Sequence, residues 1–231
     1  ISDSAMCQLH RRDFLFGLSG LLLSACGSNE YSDGKDYYPV NVNSAGTIYH
    51  WGKNNTIKVY SDSNSAAPTG GEAAFQSGAN AWATTLSELG ITISYVTSSP
   101  DVKVKWLTSS QMESQAGSSG VLGYASTNKY IYMRTDLSSS TLDFVAIHEF
   151  GHMLGIWNHS YDSNDIMYPY ATGPTALSNR DKRTLADFLY PMTPTADMHD
   201  LSGPSLVDPV TGATTPHIKT YYTTNGCVIQ S

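Results

Sequence analysis

Alternation of apolar and polar positions marks the first folding signal, where Ile57, Val59 and Tyr60 form a short strand after the turn-forming pair Asn54-Asn55. The period then lengthens. In GGEAAFQSGANAWATTLSELG (70–90), Ala74, Phe75, Gly78, Ala81, Trp82, Thr85, Leu86 and Leu89 recur at helical spacing and Gly90 stands at a C-cap position, which predicts one amphipathic helix. ITISYV (91–96) and DVKVKWL (101–107) return to alternation on either side of the turn TSSP. The stretch SSQMESQAGSSG (109–120) shows no period and reads as a loop. Two further strands, VLGYAS (121–126) and KYIYMRT (129–135), are linked through Asn128.

SSSTLDFVAIHEFGHML (138–154) predicts a second helix, with Ser140 and Asp143 as an acidic capping box and an apolar face of Leu142, Val145, Ala146 and Phe150. After an irregular segment, LSNRDKRTLADFLYP (177–191) predicts a third helix, with Ser178 as N-cap, Asp181 as its box partner and Pro191 as terminator. Strands interleaved with helices predict a mixed α+β domain. No repeat at solenoid or propeller periods is present.

At 231 residues the chain suffices for one well-buried domain with a tail. The net charge of −7 and the lack of any Lys/Arg run exclude a nucleic-acid partner. The N-terminal LHRRDFLFGLSGLLLSAC (9–26) has a basic start, an apolar run from Phe14 to Leu23 and small residues after it, the pattern of an export signal too short to span a membrane. Arg11 and Arg12 before Asp13, Phe14 and Leu15 resemble a twin-arginine signal, and Leu23 to Cys26 resemble a lipobox. The expected organisation is residues 1–25 as upstream residues plus signal, lipidation at Cys26, a tether over 26–46, a folded domain over 47–191 and an extension over 192–231. Cys227 is then the single thiol of the folded chain, so no disulfide framework is expected.

The chemistry concentrates in HEFGHMLGIWNHS (148–160). His148 and His152 stand four residues apart, about 40° around a helix axis, so both imidazoles can reach one ion. Glu149 flanks that face, placed to act on a metal-activated water without being a ligand. Gly155 can take the positive φ that ends the helix and turns the chain back beneath the ion. The third ligand is then Asn158, three residues after that glycine, or His159, the better zinc donor.

HEFGHMLG, together with DIMYPY (165–170), resembles the zinc helix and Met-turn of the metzincin superfamily of zinc endopeptidases, and within it the matrixins. In that family the third His is followed by Ser and the Met-turn methionine lies eight residues beyond the His. Here Ser160 follows His159 and Met167 lies eight residues beyond it, so the resemblance selects His159 and places an extra residue in Ile156-Trp157-Asn158.

The resemblance, from about Thr47 to Pro191, implies a twisted, mainly parallel sheet with an antiparallel edge strand, a zinc-site helix and a C-terminal helix. It implies one catalytic Zn2+ on His148, His152 and His159, Glu149 as general base, Met167 beneath the metal, and a substrate pocket walled by Tyr168, Pro169 and Tyr170. Val121 to Ser126 would pair with an extended peptide substrate. Candidate Ca2+ ligands are Asp62, Asp136, Asp162 and Asp165. The expected protein is a monomeric zinc endopeptidase of protein or peptide substrates, exported and anchored to the membrane of a bacterial envelope through Cys26. A zinc-binding lipoprotein that is latent or does not cleave is the alternative.

Overall fold

The computed structural model describes residues 48–231 except 63–64, 127, 157–158, 161, 169–174, 191–194, 198–205, 208–213, 216–218, 224–225 and 231. The expected signal, Cys26 and the tether thus lie outside the described residues. The elements in chain order are β1 (Ile48–His50), β2 (Thr56–Ser61), α1 (Gly71–Asn80), α2 (Ala83–Glu88), β3 (Thr92–Tyr95) and β4 (Val102–Leu107). They continue with α3 (Ser109–Ala116), β5 (Val121–Ser126), β6 (Tyr130–Arg134), α4 (Ser139–Met153) and α5 (Asn179–Arg183), which runs on as a π-helical stretch, Thr184–Leu189. Five short strands follow: β7 (Thr195–Asp197), β8 (Leu206–Val207), β9 (Thr214–Thr215), β10 (Lys219–Thr223) and β11 (Gly226–Gln230).

The main sheet has the order β11-β10-β5-β6-β4-β2-β3. Strands β3, β2, β4 and β6 run parallel, and β5 turns back antiparallel on β6, as expected for the domain's own five strands. The C-terminal hairpin extends the sheet beyond β5, with β10 antiparallel to it. Alternation along β4 buries Val102, Val104 and Trp106 on the helix side.

Helix α4 is covered on all sides rather than on the single face expected: Phe144 through Met153 are all buried. Glycine lets α1 cross it closely, since a Cβ at Gly78 would lie 2.6 Å from the Ala146 Cβ and 2.9 Å from the Ile147 nitrogen. Two buried tryptophans donate to its carbonyls, Trp82 Nε1 to Ile147 O at 2.9 Å and Trp51 Nε1 to Met153 O at 2.7 Å. The second of these satisfies one of the last-turn carbonyls that a helix leaves without an internal partner.

Three local expectations are corrected. The single helix over 70–90 breaks at Ala81-Trp82, where the chain tightens to seat the Trp82 indole against α4. Gly90 still ends it with φ 71°. The loop over 109–120 contains α3, whose N-cap Thr108 and N3 residue Gln111 form a complete capping box and whose C-cap is Gly117 at φ 75°. The N-cap of α4 is Ser138, with ψ 155° and an Oγ accepting from Thr141 N, whereas Ser140 is already inside the helix. The Ser178/Asp181 box of α5 forms as expected.

Candidate metal centre

Helix α4 ends in a reversal that also orients an imidazole. Gly155, at φ 106°, donates to His152 O at 2.9 Å, and Ile156 N donates to Gly151 O at 3.2 Å, the paired bonds of a Schellman motif. The turn brings Ile156 O to 2.6 Å from His152 Nδ1. Backbone further along the chain does the same for the first histidine: His148 Nδ1 lies 2.8 Å from Ile166 O. A carbonyl only accepts, so both Nδ1 atoms carry the proton and both Nε2 lone pairs point into the site. Those two Nε2 atoms stand 3.1 Å apart.

His159 completes the cluster. One ligating atom from each of His148, His152 and His159 lies within 4.8 Å of the others, and the His159 ring is 5.4 Å and 5.0 Å by centroid from those of His148 and His152. Its Nε2 is buried with no hydrogen-bond partner among the described residues. Three imidazole nitrogens turned toward one point suit Zn2+, so the residues present fit the ion. Asn158 lies outside the described residues.

Glu149 is fully buried beside the cluster, and neither carboxylate oxygen has a hydrogen-bond partner among the described residues. Burial raises its carboxyl well above the usual range, and the Ala125 backbone N–H offsets this only in part. Burial also holds His148 and His152 well below the ordinary imidazole value, with neighbouring imidazoles adding to the effect, and lowers His159 to about 4. Strand β5 passes close above, since a Cβ at Gly123 would lie 2.5 Å from Val145 Cγ1 and 3.4 Å from Glu149 Cγ.

Met167 is fully buried against the same helix, its sulfur 2.5 Å from where a Cβ on Gly151 would stand. Asp181 fixes this turn: its carboxylate accepts from Ile166 N at 2.9 Å and Met167 N at 3.3 Å while capping α5 through Ser178 N at 2.8 Å. The loop that delivers His159 is tied down by Arg180, which pairs with Asp165 at 2.8 Å and Asp162 at 2.6 Å. Ser160 Oγ donates to Asp165, and Ser160 N donates to Met167 O at 2.9 Å. The sequence reading missed Arg180 and the second role of Asp181, although the capping box at Ser178 already singled out that turn. Of the expected pocket wall, Tyr168 is half-buried and donates its N–H to Asp165 O; Pro169 and Tyr170 lie outside the described residues.

The four calcium candidates stand apart from this cluster, each facing a basic side chain: Asp62 faces Lys105 at 3.9 Å, Asp136 faces Arg134 at 2.7 Å, and Asp162 and Asp165 share Arg180. Among the described residues none of them belongs to a group of three or more possible metal ligands.

Comparison with known proteins agrees with this geometry. The family model described as Matrixin matches residues 50–190. Karilysin of Tannerella forsythia is 31% identical over 179 residues, covering 68% of this chain and 35% of that protein, so the chain spans about a third of the length of this relative.

Two outcomes are expected. Replacing Arg180 by Met leaves the buried Asp165 carboxylate without its cation and should cost about 3 kcal/mol in urea unfolding, with zinc affinity reduced. Adding Asp165→Asn should recover part of the loss, and additive losses in the double variant would rule out the coupling. The second concerns acid. Because burial depresses the folded imidazoles, His159 to about 4 and His148 and His152 well below the ordinary value, the unfolded chain takes up protons below pH 6.5 that these folded groups refuse, so the stability they contribute is lost as pH falls through that window. The neutral, ligating form persists over the same window, so zinc release followed with a chromogenic chelator should have its midpoint well under 6.5; release at 6.5 or above contradicts it.

Proposed function

On the premise that the chain belongs to the matrixin family, we propose that it is a zinc-dependent endopeptidase of proteins or peptides. One observation carries the reading: three imidazole donors converge beside a buried carboxylate whose oxygens have no hydrogen-bond partner among the described residues. A zinc ion held by His148, His152 and His159 would supply Lewis acidity toward a peptide carbonyl, and its charge would favour the ionised form of Glu149.

Glu149 then takes the proton from the attacking water and passes it to the leaving amine, a shuttle that suits a carboxyl whose surroundings raise its affinity for protons. Ile166 O and Ile156 O keep both Nδ1 protons in place, so the two helical imidazoles hold one tautomer throughout. Met167 packs under the rings, and Tyr168, Pro169 and Tyr170 line the pocket for the residue after the scissile bond. Backbone groups of β5 hold the substrate extended. Residues 9–26 export the protein and Cys26 anchors it in a bacterial envelope, where it acts as a monomer.

Glu149→Gln should bind the same zinc and hydrolyse a fluorogenic peptide library about 10² to 10⁴-fold more slowly, the span general-base catalysis ordinarily contributes. Equal hydrolysis by the two proteins at equal zinc loading removes Glu149 from the mechanism. Equal zinc with no hydrolysis by either supports the alternative, a non-catalytic zinc-binding lipoprotein. Cys26→Ser should move the exported protein from the membrane pellet to the soluble fraction; an unchanged pellet discards the anchor.

A further inference from the structure

The outer edge of β5, the side away from β6, belongs to a strand that passes over Glu149, with Gly123 above its Cγ and the Ala125 backbone N–H acting on its carboxyl. In this structure the edge is filled by the chain's own C-terminus. Strand β10 runs antiparallel along it, pairing Thr220 with Ala125, Tyr221 with Tyr124 and Tyr222 with Gly123, so the paired stretch is centred on the part of β5 that lies over the metal helix. Strand β11 backs β10 in turn, pairing Thr220 with Ile229 and Tyr222 with Cys227. All six residues of β5 are buried.

We propose that the β10-β11 hairpin is a tethered strand that competes with substrate for the β5 edge, an autoinhibitory element built into residues 219–230. It rests on the endopeptidase reading above. The physical basis is exclusion. A strand has one row of N–H and C=O groups on each side; β6 takes one side of β5 and β10 takes the other, so no ladder is left for a peptide. The competitor is intramolecular. Residues 191–218 join it to the body of the domain, and tethers of this kind present their cargo at an effective concentration of up to about millimolar. A peptide of ordinary affinity meets an edge that is open for only a fraction of the time, and its apparent KM rises by the inverse of that fraction while kcat is unaffected. A strand that merely covered an exposed sheet edge would contribute stability and have no effect on KM.

The test uses the zinc-loaded full chain beside its Thr220→Pro/Tyr221→Pro double variant. Alternate residues of a strand bond to opposite neighbours, so one of the two prolines removes an N–H from the β5 ladder and the other from the β11 ladder. Amide hydrogen exchange over 121–126 should speed up in the variant. Its KM for a fluorogenic peptide should fall about tenfold or more at unchanged kcat, and a synthetic peptide of residues 217–230 added in trans should raise it again. Equal KM in the two proteins, or equal exchange over 121–126, overturns the proposal. Faster exchange in the variant with zinc bound and no hydrolysis by either protein is a different result: the edge has been freed and the endopeptidase reading itself fails.

Discussion

A helix that carries two imidazoles and a carboxylate can be buried only if every polar atom it takes out of water finds a partner or an ion. Helix α4 meets that constraint one atom at a time. Its own C-terminal reversal supplies Ile156 O to His152, and a turn ten residues further along supplies Ile166 O to His148. Trp82 and Trp51 donate to its carbonyls from two other elements. Among the described residues His159 Nε2 and both oxygens of Glu149 have no hydrogen-bond partner, and these are atoms a metal and its chemistry would use.

The supports of the site are shared with the supports of the fold. Asp181 caps α5 and holds two N–H groups of the Met167 turn with the same carboxylate, so the last helix cannot form in place without setting that turn. Arg180, the residue before it, gathers Asp162 and Asp165 and with them the loop that starts at His159. Taking the Asp165 carboxylate out of water requires a matched cation, and one guanidinium answers both acids.

The sheet carries a further consequence of edge geometry. Strand β5 is antiparallel to its neighbour and would end the five-stranded body of the domain with an unpaired ladder next to Glu149. Unpaired ladders recruit strands, whether from a peptide or from the chain itself. Here β10 meets that demand from about a hundred residues away in sequence, which makes the cleft edge and the C-terminal extension one structural unit.

Features governed by local physics were legible in the sequence. The four-residue spacing of His148 and His152, the positive φ of Gly155 and Gly90, the turn at Asn54 and the Ser178/Asp181 box depend on a few consecutive residues, and the structure contains them all. Thr108 and Gln111 carried an equally local capping signal, and α3 was overlooked only because its residues show no apolar period. Tertiary contact decided the rest. The break at Trp82 seats an indole whose buried N–H finds its acceptor in Ile147 O, sixty-five residues away. Seating His159 in the cluster required the Arg180 anchor from α5, and filling the β5 edge required a strand from the far end of the chain. Periodicity and capping act within a turn or two of backbone, whereas a buried donor, a buried charge and an open ladder select partners by proximity in space, which the order of residues does not state.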